Sequence, residues 1–291
     1  MAVEESEFWR NENIAGKADL VAMLSAERLR VAHVDIGAVR GERASLVARL
    51  TTLQSDGVQA VVCDAETNED LQCVARASAE LDNVFWVGSA GLAPAVMDAL
   101  QLRRNTAAQK LPDHDSGRPV LTVIGSMSSI SHAQLDYLKA RAGSDLMALE
   151  VATAALDGLD SDFTTVVCDA LRRGRHVVVS LSQTNRGDVK DGLLFCTRLA
   201  ALLAPAVPFA GGVIATGGET ARALLTAAGA SAFHVVDEIE DGMPLLACRL
   251  GERALPIVTK AGGFGQPESI YNAWRWLADK SKTAKPAQAN F

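Results

Sequence analysis

The run Val213-Ile214-Ala215-Thr216-Gly217-Gly218-Glu219-Thr220-Ala221-Arg222 passes from an apolar, strand-like segment through two glycines into a helical pattern. Glycine lets the backbone turn tightly and approach a ligand with no Cβ in the way. The first turn of the following helix adds unpaired N–H groups at its positive dipole end. That chemistry suits an anion, a phosphate above all. The same turn also serves where a helix merely packs closely on a sheet, so the motif alone leaves both readings open. A second turn of this kind, Thr259-Lys260-Ala261-Gly262-Gly263-Phe264-Gly265, again follows an apolar run and precedes a helical pattern. Two such turns in one half of the chain point to a shared ligand.

Several side chains around these turns could act on a phosphate. Lys260 either places a point charge on a phosphate oxygen or lies exposed at a strand end. Glu219 either favours the helix dipole or orients Mg²⁺ through water, and Arg222 either reaches the anion or lies on the outer helix face. Gly125-Ser126-Met127-Ser128-Ser129-Ile130-Ser131 sets hydroxyl groups after another apolar run, as helix caps or as donors to phosphate or ribose. Asp64, Glu66, Ser89 and Gly91 follow two earlier apolar runs, where open parallel sheets collect ligands beyond their carboxyl ends. Asp64 and Glu66 are the nearest acidic candidates at a strand end, but no residue is assigned as general base.

Other chemistries lack their signatures. His33, His114, His132, His176 and His234 form no HxxxH or HxH set, so no metal ligand is assigned. There is no GxSxG elbow and no GxxxxGK[ST] loop, and the paired glycines do not make GxGxxG. The net charge of −7 and pI near 5.3 argue against a nucleic-acid or anionic-membrane surface, while leaving room for a small anionic ligand. Five scattered cysteines with no CxxC pair suit a reducing cytoplasm. The acidic, polar opening lacks the basic-then-apolar order of a signal segment. Leu193 to Ile214 is nearly long and apolar enough to span a bilayer. It contains Arg198, Pro205, Pro208, Gly211 and Gly212, however, and is read as a buried helix, a turn and a buried strand.

The elements that would position these residues alternate between helix and strand. Strands are expected at Val31–Ile36, Ala60–Asp64 and Val84–Gly88, with helices over residues 44–53, 68–81 and after Gly91. A polar, breaker-rich stretch at 101–118 separates these from a second series beginning at Val120–Gly125. Strands follow at 146–151, 176–180 and 212–215, then a hairpin-like addition at 243–248 and 255–259, and a closing helix at 268–277. The strands are continuous apolar runs, as expected when helices cover both faces of a parallel sheet. The fold class is therefore α/β, with two three-layer domains and mostly parallel sheets, the N-terminal one incomplete. The expected domains are 1–100 for substrate, a linker at 101–118, 119–280 for nucleotide, and a disordered tail at 281–291.

Taken together, five blocks resemble the four-carbon acid sugar kinases, long known as a domain of unknown function. They are Asp64-Ala65-Glu66-Thr67 with Asp70-Leu71, Gly88-Ser89-Ala90-Gly91-Leu92, Gly125-Ser126-Met127-Ser128 with Gln134, Thr216-Gly217-Gly218-Glu219-Thr220-Ala221, and Lys260-Ala261-Gly262-Gly263-Phe264-Gly265. The resemblance implies ATP-dependent phosphorylation of a tetronate such as threonate, erythronate or 3-oxo-tetronate, with Mg²⁺ bridging the phosphates. It also implies ATP contacts from Ser126 or Ser128, Gly217 to Thr220, and Gly262. The family's Ala-Asp-Asp-Leu-Thr-Gly-Ala and Lys-Ile-Asp-Ser-Thr-Leu-Arg-Gly blocks occur nowhere in this chain. Met1 is accordingly expected to fall inside the family's N-terminal domain, with an unpaired sheet edge that a homo-oligomer could cover. The alternatives are a non-catalytic nucleotide- or acid-sugar-binding module, or an inactive fragment of such a kinase.

Overall fold

The computed structural model describes residues 5, 9, 16–102, 117–158, 161–182, 192–230, 232–251 and 253–279. Most of the acidic opening, most of the expected linker at 101–118 and the expected tail at 281–291 lie outside the described residues. The chain divides into two compact units, Met1–Thr106 and Ala107–Phe291.

In the first unit, α1 (Leu20–Ala26) leads into β1 (Val31–Val34), which pairs in parallel with β2 (Ala60–Cys63), Val31 opposite Ala60 and Val34 opposite Cys63. Between and after them run α2 (Ile36–Val39), α3 (Arg43–Ser55), α4 (Asn68–Ser78) and α5 (Leu92–Ala99). Strand β1 stops at Val34 because the Asp35 side chain accepts the Ala38 N–H at 3.0 Å and caps α2. Helix α4 starts on a reciprocal capping box between Thr67 and Asp70. Val34, Val39, Leu46, Leu50 and Ala77 form the core of this unit.

The expected third strand at Val84–Gly88 is not formed. Phe85 and Val87 are 85% and 84% exposed, while Trp86 turns inward and donates its indole N–H to Ser78 Oγ at 2.8 Å. An apolar run does not distinguish a sheet strand from an extended segment pinned by one ring, and here the Trp86 anchor decides the outcome. Among the described residues the sheet of this unit has two strands.

The second unit is built on β3 (Val120–Ile124), β4 (Leu146–Val151), β5 (His176–Leu181), β6 (Gly212–Thr216), β7 (Phe233–Glu240), β8 (Met243–Leu250) and β9 (Arg253–Lys260), in the spatial order β4-β5-β3-β6-β9-β8-β7. The first five strands in that order are parallel, and β8 and β7 extend the sheet with antiparallel pairings. The hairpin addition is therefore more than a lateral extension, because β9 enters the parallel core beside β6.

Helices α6 (Ser129–Ala142) and α10 (Ser269–Ala278) cover one face of this sheet through Leu135, Leu138, Ile270 and Leu277. The other face carries α7 (Ser161–Arg172), α8 (Gly192–Leu203) and α9 (Gly218–Ala227) through residues such as Val167, Leu199 and Leu224. Residues 192–209 are long and apolar enough to cross a membrane. In the fold, however, they form α8 and a 3₁₀ turn, Ala204–Phe209, whose Phe195, Leu199, Leu203 and Val207 belong to the core; β6 follows.

Candidate functional site

Strands β3 and β6 are neighbours, with Ile124 opposite Thr216, yet their following helices leave to opposite faces of the sheet. A crevice opens at the carboxyl end of a parallel sheet where successive connections part in this way. Strand β9 lies on the far side of β6, with Lys260 opposite Thr216. The turns after β3, β6 and β9 therefore meet at one edge, although Gly125, Gly217 and Gly262 are far apart in the chain.

The three turns interlock. Gly217 has φ +92°, a left-handed conformation that favours glycine, and its N–H donates to the Lys260 carbonyl at 2.9 Å. A Cβ on Gly262 would collide with the side chain of Ser126. Ser128 caps α6 by accepting the Ser131 N–H at 3.1 Å, and both serine hydroxyls donate to the Gly262 carbonyl at 2.7 Å. Ser126 Oγ reaches Ser128 Oγ at 3.2 Å. The serines of the β3 turn thus act as caps and also brace the β9 turn.

The first turn of α9 presents the amides of Gly218, Glu219 and Thr220, which precede the first intrahelical bond, from Ala221 N–H to the Gly217 carbonyl at 3.0 Å. A Cβ built on Gly218 would meet nothing within 4 Å, so the space over this helix end is open. Thr216 Oγ1 lies fully buried at the edge with no hydrogen-bond partner. An open helix N-terminus of this kind fits an anionic ligand such as a nucleotide phosphate. The Thr220 side chain is buried beneath the end of β3, its Oγ1 at 3.3 Å from Cys196 Sγ. Glu219 pairs with Arg222 at 3.0 Å on the outside of α9, which places Arg222 on the outer face of the helix.

Lys260 is 3% exposed, so the exposed strand-end reading does not hold. Its Nζ donates to the carbonyls of Ala261 at 2.7 Å, Gly262 at 3.4 Å and Phe264 at 2.8 Å. Burial pulls its ammonium down to about 8. A groove of about 540 Å³ runs along α10 and the end of β7, past Glu240, Asn272, Trp274 and Trp276. It includes none of the three turns.

In the first unit, Asp64 follows β2 and its Oδ1 lies 2.9 Å from His33 Nε2. Glu66 is held at 2.9 Å by Arg40, which also grips Asp70 through its Nε and Nη2, both at 2.9 Å. Asp70 accepts the N–H groups of Glu66 and Thr67 at 3.0 Å as well. A Cβ on Gly91 would lie 3.2 Å from Leu71 Cδ1 and 3.8 Å from both Asn68 Oδ1 and Ser89 Oγ, so the Ser89–Gly91 turn sits beside the start of α4. The four residues singled out from the sequence thus lie around the end of β2 and the start of α4. His33 and Arg40 come from earlier elements, and neither carried a motif that could have marked it.

Arg40, together with the Glu66 amide, holds the Asp70 carboxyl well below the usual carboxylate range. A depressed carboxylate stabilises the fold above its unfolded pKa, about 4, and loses that contribution as pH falls through the folded value. Asp70→Asn is therefore expected to lower the unfolding midpoint of this unit at pH 7. The gap to wild type should narrow as pH falls below about 4, as read by urea titrations across pH. A gap independent of pH would show that the carboxylate charge is not what matters.

Sequence comparison matches residues 121–270 to the family of the nucleotide-binding C-terminal domain and residues 1–96 to that of the sugar-binding N-terminal domain. A D-threonate kinase of Cupriavidus necator is 38% identical over 283 residues, covering 95% of this chain and 68% of that protein. The chain belongs to the four-carbon acid sugar kinase family. A D-threonate kinase of Salmonella typhimurium is 28% identical, over 90% of this chain and 64% of its own length. A Haemophilus influenzae protein assigned to a domain of unknown function superposes with a TM-score of 0.57 at 18% identity, over 94% of this chain and 68% of its own, which speaks to the fold alone. The chain thus spans about two thirds of the length of these relatives of the acid sugar kinase family. Its interlocked turns fall within the nucleotide-binding match, and Asp64, Glu66, Ser89 and Gly91 fall within the sugar-binding match.

Proposed function

We propose that this chain binds ATP at the joined turns of β3, β6 and β9 and phosphorylates a hydroxyl of a four-carbon sugar acid of the threonate type. The observation that carries the reading is the convergence of Gly217–Gly218, Ser126–Ser128 and Gly262–Gly263 on one sheet edge, with an open helix N-terminus between them. Phosphoryl transfer breaks the bond between the γ-phosphorus and its bridging oxygen and forms one to the acceptor oxygen, whose proton leaves. The protein contributes mainly positioning and charge stabilisation. In this proposal Gly218, Glu219 and Thr220 offer their backbone amides to the phosphates, with those of Gly262 and Gly263 opposite, while Ser126 and Ser128 brace the frame through the Gly262 carbonyl. Among the described residues no cluster of three acidic, histidine or cysteine side chains could hold a metal. In this proposal Mg²⁺ arrives with the nucleotide, on its phosphates.

In this proposal the sugar acid lies against the first unit, where Asp64, Glu66 and Ser89 offer partners for its hydroxyls, while Arg40 holds Glu66 and Asp70 in place. The five free cysteines fit a reducing compartment such as the cytoplasm. Calorimetry with ATP·Mg²⁺ tests binding, and an ADP-release assay over threonate, erythronate and 3-oxo-tetronate tests turnover. Micromolar ATP binding with ADP release on one tetronate is the expected result. Binding without turnover would reduce the chain to a nucleotide-binding module, and absence of ATP binding would sink the assignment.

A further inference from the structure

Lys260 is the last residue of β9. It is buried at the end of β9, and among the described residues no carboxylate pairs with it. An ammonium in such a place is costly, and an apolar side chain of similar size would fill the space at lower cost. What the charge does hold is a set of carbonyls: Ala261 at 2.7 Å, Gly262 at 3.4 Å and Phe264 at 2.8 Å. Two of these carbonyls have further donors. Gly262 O also accepts from Ser128 and Ser131, and Phe264 O accepts from Gln134 Nε2 at 3.0 Å.

A trans peptide is planar, with its N–H directed opposite to its C=O. Gathering the carbonyls of Ala261, Gly262 and Phe264 toward Lys260 therefore turns the N–H groups of Gly262, Gly263 and Gly265 away from it. Among the described residues these three amides donate to no protein acceptor. Gly262 and Gly263 supply two consecutive free amides, the arrangement from which anion-binding nests are built, and Gly265 follows after Phe264, whose N–H donates to the Ala261 carbonyl. The backbone of Lys260 joins these amides to the turn after β6, because its carbonyl accepts the Gly217 N–H at 2.9 Å.

We propose that Lys260 is a positioning residue of the nucleotide site, acting through the backbone: it draws the β9-turn carbonyls inward so that the Gly262, Gly263 and Gly265 amides receive phosphate oxygens. The inference rests on the nucleotide assignment above. It differs from a direct lysine–phosphate contact because the buried ammonium is engaged with the loop.

The test compares ligands that differ only in phosphate. Calorimetric titration of the full chain with ATP·Mg²⁺ and ligand-observed NMR titration with adenosine would be run on wild type, Lys260→Met and Ser131→Ala. Lys260→Met is expected to lose about thirtyfold or more in ATP affinity. Its adenosine affinity should stay within about twofold and its thermal midpoint should be unchanged or raised. Ser131→Ala, which removes one of three donors to the Gly262 carbonyl, is expected to lose about three- to tenfold for ATP alone. If Lys260→Met does not fold, Ser131→Ala decides by the same comparison. Equal losses for ATP and adenosine, or undiminished ATP affinity, would overturn the inference. Wild type that binds no ATP would remove the nucleotide assignment and this inference together, whereas wild-type binding with unaltered variants overturns the inference alone.

Discussion

Replacing Gly218 by valine is expected to weaken ATP binding by about a hundredfold or more while leaving the fold intact. Gly218 opens α9, its φ is outside the left-handed region, and an added Cβ would meet nothing within 4 Å. The protein can therefore accommodate the side chain. What it fills is the space above the first-turn amides, where the phosphate is proposed to sit, and a branched side chain there both blocks approach and shields the dipole end. Calorimetry with ATP·Mg²⁺ and a thermal unfolding curve measure the two halves of the expectation. Undiminished affinity in a folded variant would return this turn to the role of helix packing.

Gly125 is expected to behave in the opposite way, losing stability before it loses ligand. Its ideal Cβ would lie 2.8 Å from Thr220 Cγ2 and 2.9 Å from Thr220 Cβ, with Thr220 Oγ1 nearer still. Thr220 has little freedom to retreat, being buried in the first turn of α9 and in contact with Cys196. Overpacking of this sort costs about 1–3 kcal/mol for alanine and more for valine, because backbone as well as side chain must shift. Gly125→Val should therefore lower the urea midpoint sharply or prevent folding. Combining Gly125→Ala with Thr220→Ala, which removes the hydroxyl and methyl, should recover part of the alanine loss. A double-mutant cycle with no coupling between the two positions would contradict the contact.

These two glycines show how far local sequence reaches. Both stand after an apolar strand and before a helix, and both mark a tight turn when read in isolation. Gly218 faces open space and Gly125 faces Thr220, 95 positions away in the chain. Lys260 shows the same limit: charge and position suggested a phosphate contact or an exposed strand end, whereas its burial directs it to three carbonyls of its own loop. The segment at Val84–Gly88 had the composition of a strand but lacked a sheet pairing, and the bond from Trp86 to Ser78 holds it elsewhere.

Composition and spacing establish the α/β class, the order of nearly all the strands and helices, the breaker-rich region between the two halves, and the glycine and serine turns that carry the family resemblance. These features follow from local physics: apolar runs that need burial, caps that end helices, and glycines that permit tight turns. The folded chain alone makes β3, β6 and β9 neighbours, joins their turns through Gly262, and sets which side chains are buried. Strand order and burial depend on pairings between residues tens of positions apart, and no short-range pattern encodes which of the competing pairings wins.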